Sequence, residues 1–225
     1  FVNELVILPD IEKRLESFVR MAHGIVIFPG GPGTAEELLY LLGILAHPDN
    51  QSMPFPLIIT GPKDTEPYLN SLHDFVGSTL GKRAQARYQL IIDDAEAVAA
   101  AMKQGIDDVR SWRNEQKDAY FYNWNMRIEP DFQHPFDPTH EAMAALELTT
   151  ELPEHHLASN LRKVFSGIVA GNVKPDGRER VAKYGPYQLK GEKKLMQQLD
   201  QLLTSMVAKG RMKLSGEYKP CYRIG

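Results

Sequence analysis

One stretch constrains this chain more than any other. Residues 24–28 (GIVIF) are apolar and mostly β-branched, and Pro29-Gly30-Gly31-Pro32-Gly33 follows at once, then Thr34-Ala35-Glu36-Glu37 and an apolar helical pattern through Ala46. The first run reads as a strand buried on both faces. Proline and glycine stop it, and Thr34 is expected to open the helix. Glycines at such a turn let backbone approach a ligand closely, and a helix start offers unpaired N–H groups and the positive end of a dipole. Together they make an anion site suited to a phosphate. It lies at the carboxyl end of a strand, where open α/β sheets bind their ligands.

The flanking sequence repeats the alternation. Residues 4–8 (ELVIL) read as a strand closed by Pro9, and Asp10 caps a helix with the stripe Ile11, Leu15, Phe18, Val19 and Ala22. Strands are expected at 56–60 and 88–92, and helices at 66–80 and 94–104. Strands separated by helices of this length imply a parallel sheet with right-handed crossovers. The fold class is therefore α/β, a doubly wound, Rossmann-like sheet. Four βα units make only part of one, and the remaining strands are expected upstream of Phe1. The later sequence predicts helices at 108–125, 140–149, 156–170 and 191–209, a proline-laden connector at 129–139, and a terminal hairpin at 211–224 turning at Ser215-Gly216. Charge changes sign along the chain. Residues 1–107 hold 8 Lys+Arg against 14 Asp+Glu, a balance of -6, and residues 108–225 hold 18 against 15, a balance of +3. The expected division is a nucleotide-binding catalytic domain over 1–107 and a mainly helical accessory domain over 108–225.

Composition removes several function classes. A net charge of -3 lacks the basic footprint of a nucleic-acid binder. The longest apolar run, residues 38–46, is too short to cross a bilayer, so no membrane role is expected. The single cysteine, Cys221, excludes an intrachain disulfide framework and fits a cytoplasmic, reducing setting. It has no evident base partner and reads as packing. His155-His156, His134 and His140 are the histidines that invite a metal, but adjacent histidines rarely chelate one ion together, no HExxH pattern is present and no metal is expected.

Two standard phosphate motifs fail on the glycine loop. There is no Gly-Lys-Ser/Thr, and Glu36 stands where a dinucleotide fold needs its third glycine. An acidic pair behind a phosphate loop suggests that hydroxyls or a cationic centre lie beyond the phosphate. The nine residues 29–37 match in full the PGGxGTxxE signature of the LONELY GUY-type nucleoside 5′-monophosphate phosphoribohydrolases, which this chain resembles over roughly residues 4–105. Arg14 stands where that family carries an arginine ahead of the motif, and Arg20 matches a second; the family's lysine beside the first is Leu15 here. The added C-terminal segment looks most like the large bacterial members, the pyrimidine/purine nucleotide 5′-monophosphate nucleosidases.

The resemblance implies hydrolysis of the N-glycosidic bond of a nucleoside 5′-monophosphate to free base and ribose 5-phosphate, with no cofactor. Such cleavage passes through an oxocarbenium-like ribose. Gly30, Gly31, Gly33 and Thr34 would hold the phosphate. Glu37, with Glu36, would grip ribose hydroxyls, offset the developing charge and assist water attack. Arg14 either binds phosphate or pairs with Glu37, and Arg20 is structural or phosphate-facing. Blander readings stand beside these. Thr34 and Glu37 have capping-box spacing, and Glu36 reads as a solvated first-turn acid. Arg113, Lys117 and Tyr120 fall at i, i+4, i+7 and so share one helix face, as a nucleotide-effector site or a subunit or domain contact. Residues 174–194, with 7 basic and 3 acidic residues, read as a solvated loop, with an anion site contributed to a neighbour as the alternative. The resemblance further implies a homo-oligomer, dimer or tetramer, controlled by the alarmones (p)ppGpp. A non-catalytic nucleotide sensor using the same loop is the alternative. A decarboxylase, a label that relatives have carried, is set aside because no pyridoxal-binding lysine is evident.

Overall fold

The computed structural model describes residues 4–212 and 218–225. Helix α1 (Ile11–Met21) is capped by the Asp10 carboxylate, which accepts from the Lys13 N–H at 2.7 Å. Strand β1 (Ile25–Ile27) leads into α2 (Pro32–Ala46), then β2 (Leu57–Gly61), α3 (Glu66–Thr79), the short α4 (Lys82–Gln85), β3 (Gln89–Ile92) and α5 (Ala95–Gln116). The three strands pair in parallel in the order β1-β2-β3. All five residues of β2 are buried, which requires cover on both faces of the sheet. Both α3 and α5 pack on β2. This is the α/β, doubly wound, Rossmann-like arrangement, present as three strands among the described residues.

The second half is built from α6 (Pro130–Gln133), α7 (His140–Ala144), α8 (Glu154–Val173), α9 (Pro175–Tyr184), β4 (Tyr187–Leu189), α10 (Lys193–Ala208) and β5 (Tyr222–Ile224). Its main contact with the first half is α8 against α2. From Leu38 to Ala46 every residue of α2 is buried, the signature of a helix enclosed on all sides. Gly43 permits the close approach: a side chain there would strike the Phe132 ring and the Ala158 methyl. One apolar cluster runs through both halves, from Leu15 and Leu39 to Phe165 and Leu203.

Several expectations are corrected. Residues 4–8 form no strand; Leu5, Val6 and Ile7 are exposed at 79%, 66% and 85%, because alternation does not supply the neighbour a strand needs. Strand β1 is only partly covered rather than buried on both faces. Helix α2 opens at Pro32, not Thr34, since proline suits the first helical position and Gly31 takes the cap. Helix α5 runs unbroken through the change of charge sign at residue 108 and stops at Lys117, whose φ of 53° is left-handed. Tyr120 therefore lies beyond the helix, and Arg113, Lys117 and Tyr120 share no face. Residues 174–194 hold α9 and β4 rather than a solvated loop. Helix α7 ends at Ala144, short of 149. The expected hairpin is replaced by a crossover: β5 pairs in parallel with β4, with α10 between them. Its turn at Ser215-Gly216 lies outside the described residues.

Candidate active site

The glycine loop is shaped by close contacts. A side chain at Gly30 would run into the Thr34 hydroxyl, and one at Gly31 into the Arg211 carbonyl, so both positions need glycine. Gly33 is different: among the described residues nothing lies within 4 Å of where its Cβ would stand. Among the described residues the first turn of α2 thus leaves its backbone uncovered at Gly33. Pro32 brings no N–H, and Thr34 and Ala35 both donate to the Gly31 carbonyl, at 3.0 and 3.2 Å. The Gly33 N–H remains as the first-turn donor at the positive end of a fifteen-residue helix.

Beside this turn lies a cleft of about 380 Å³, lined by Phe18, Val26, Phe28, Pro29, Thr34 and Glu37 among others. Its size and mixed lining suit a small ligand. Glu37 sits one turn into α2, with Gly31 as the cap, so the capping-box reading with Thr34 fails. The Arg14 guanidinium instead donates to Glu37 Oε1 at 3.3 Å, across from α1. Both side chains stay half-open to solvent. Burial raises the Glu37 carboxyl above its ordinary range, and the Arg14 cation pulls it back. A carboxylate so held can accept a proton or a ribose hydroxyl.

Glu36 turns the other way, and the solvated first-turn reading is overturned. It is 6% exposed and 3.7 Å from Arg162 Nη1 of α8. Arg162, wholly buried, donates to Glu12 Oε1 of α1 at 2.7 Å. Burial pushes the Glu36 carboxyl up to about 7, against the pull of Arg162. Among the described residues, Glu36 Oε1, Glu12 Oε2, Arg162 Nε and the Tyr40 hydroxyl lack hydrogen-bond partners. Glu36 is not among the residues lining the cleft.

Arg20 is also placed away from a phosphate role. Its Nη1 donates to the carbonyls of Asn123, Trp124 and Met126 at 3.0, 3.2 and 2.6 Å, which ties the connector to α1. Arg113 is buried, donating to the carbonyls of Tyr120 and Phe121 and to the Asn123 amide oxygen. Sequence reasoning missed Arg211. It follows α10, its carbonyl abuts Gly31, and its guanidinium lies 4.6 Å from the centre of the Tyr68 ring. It missed Arg162 too, although an arginine set among Ala158, Leu161 and Phe165 on a buried helix carries a signal. Cys221 is buried in packing against Gly171, and burial pushes its thiol up to about 12, which suits no nucleophile. A larger cavity, about 620 Å³, opens between α7 and α9 and shares no residue with the loop. No helix among the described residues is long and apolar enough to cross a membrane.

Two family profiles divide the chain. Residues 1–102 match the one described as possible lysine decarboxylase, and residues 106–225 the one described as pyrimidine/purine nucleotide monophosphate nucleosidase, C-terminal. Proteins named pyrimidine/purine nucleotide 5′-monophosphate nucleosidase from Escherichia coli strain K12, E. coli O6:H1 and E. coli O157:H7 are each 55% identical over 224 residues. The match covers 99% of this chain and 49% of each relative, so the chain spans about half the length of those proteins. With its second half matched by the nucleosidase profile, the chain belongs to the pyrimidine/purine nucleotide monophosphate nucleosidase family.

Proposed function

We propose that this chain carries the catalytic core of a nucleoside 5′-monophosphate nucleosidase, which hydrolyses the N-glycosidic bond to free base and ribose 5-phosphate. The observation that carries the reading is the Arg14–Glu37 pair at 3.3 Å, beside a helix start whose Gly33 meets no side chain among the described residues. The 5′-phosphate sits at that helix start, on the Gly33 N–H and the Thr34 hydroxyl, with Gly30 and Gly31 keeping the loop bare. The ribose then lies one helical turn deeper, against Glu37. Cleavage leaves the ribose oxocarbenium-like, and the nearby carboxylate stabilises that charge. It also accepts the proton of the attacking water while the departing base takes a proton from solvent. Arg14 holds the Glu37 rotamer and offsets part of the rise that burial imposes on its carboxyl. Arg211 adds positive charge behind the loop. Glu36 braces the first turn of α2 from inside, and Arg20 braces α1; neither touches the substrate.

The names of the E. coli relatives support this substrate class. We further propose a division near residue 107, which the two profile matches on either side favour, a cytoplasmic setting, a homo-oligomer and control by (p)ppGpp. The test is incubation with AMP, GMP, CMP and UMP, with and without ppGpp, with free base read by chromatography. Base release from wild type and none from Glu37→Gln supports the reading. Nucleotide binding without turnover by wild type would identify a sensor instead.

A further inference from the structure

Three residues distant in sequence meet at the far end of α2. His47 closes that helix, Glu129 precedes α6, and His155 lies in the first turn of α8. One ligand atom from each falls within 4.8 Å of the others. His47 Nε2 is 3.7 Å from Glu129 Oε1, and His155 Nε2 is 3.9 Å from Glu129 Oε2. His156 Nε2 stands 3.8 Å from the same oxygen, at the rim. These separations are too long for direct hydrogen bonds. Among the described residues, neither the Glu129 carboxylate nor the His155 ring makes one. They are also too short for another side chain to enter. Ligands about 2.0–2.2 Å from a tetrahedral ion lie roughly 3.3–3.5 Å apart, so donors within 4.8 Å of one another close on an ion by shifts of under about 1 Å each. The side chains of His47, Glu129 and His155 are 14%, 26% and 12% exposed, which gives semi-buried donors with a path from solvent.

We propose that His47, Glu129 and His155 form a binding site for a divalent transition-metal ion of the zinc class, with a water molecule as the fourth ligand. Two imidazoles and a carboxylate favour zinc, cobalt or nickel over the all-oxygen preference of magnesium and calcium. Coordination through His47 Nε2 moves that ring's proton to Nδ1. There the Asp49 carboxylate, 3.9 Å away, takes it as a hydrogen bond in place of the present bond from the Asp49 N–H. The ion would clasp the C-terminal end of α2 to the N-terminal end of α8. It lies at the opposite end of α2 from the glycine loop, so its role is structural and independent of the proposed reaction.

The test is equilibrium titration of the chelator-treated protein with Zn²⁺, followed by calorimetry, with Co²⁺ absorption reporting coordination. One Zn²⁺ per chain is expected, with tetrahedral Co²⁺ bands and a raised melting temperature. His47→Ala, His155→Ala and Glu129→Gln should each weaken binding by at least about tenfold, the lower end of what even an outer-shell change costs. Glu129→Gln keeps size and shape, so its result stands if a histidine variant folds poorly, and His140→Ala, outside the cluster, should bind as wild type does. Failure of Zn²⁺ to saturate at one equivalent would overturn the proposal, as would equal binding by wild type and Glu129→Gln.

Discussion

Glu36 and Glu37 are chemically alike and adjacent, yet the roughly 100° step between them on α2 turns them to different neighbours. On one face Glu37 borders an open cleft and meets a half-exposed arginine. On the other, Glu36 is enclosed with Glu12 and a wholly buried Arg162. An exposed pair of the first kind contributes little to stability and is free to act on a ligand. A buried cluster of the second kind is costly to build and costlier to break. The contrast teaches that an acidic pair in a motif is not a pair in space. One helix turn gives one acid to chemistry and the other to the joint between α1, α2 and α8.

The sharpest way to break that contrast is at Glu37. Glu37→Gln should lower base release from AMP by about 10³-fold, within the range for a lost general base, with an unchanged melting temperature. Glu36→Gln should lower it far less. Equal losses in a chromatographic assay would erase the distinction. Arg162→Met leaves two buried carboxylates without their cation and should cost about 3–5 kcal/mol in urea unfolding. Replacing Glu12, Glu36 and Arg162 together with apolar residues should recover most of that loss.

The third effect is in pH. The Glu36 carboxyl has a folded-state pKa raised to about 7 from 4.5. An acid raised on folding favours the folded state below its unfolded pKa, and that benefit is lost as pH climbs toward the folded value. Relative to Glu36→Gln, the wild type should therefore lose on the order of 3 kcal/mol between pH 4.5 and just above 7. Parallel stability curves for the two proteins would remove the burial argument. The smallest effect is at Gly33. Gly33→Ala has room and should raise helix stability by a few tenths of a kcal/mol. The added methyl should nonetheless raise the KM for AMP.

Much of the open face was legible from sequence, because its signals are local. The apolar run before the loop, the glycines and the i, i+4 stripe of α1 are each written within a dozen residues. Arg14 and Glu37 came from the motif and do meet, at 3.3 Å. The enclosed face was not legible, because its partners come from distant segments. Nothing local shows that Glu36 will face Arg162. The helix register failed for a reason of competing caps, with Pro32 and Gly31 outranking Thr34. The same limit hid the meeting of His47 and Glu129 with His155: of the histidines that sequence singled out, His155 belongs to that cluster, while His134 and His140 lie outside it. The crossover of β4, α10 and β5 was read as a hairpin because its parallel partner is not sequence-adjacent.

The most direct test of the central claim is a crystal soaked with ribose 5-phosphate. The account predicts phosphate oxygens on the Gly33 N–H and the Thr34 hydroxyl, with a Glu37 oxygen against the sugar and Glu36 still turned toward Arg162. A sugar phosphate bound elsewhere, or a Glu37 side chain directed away from the ribose, would contradict it.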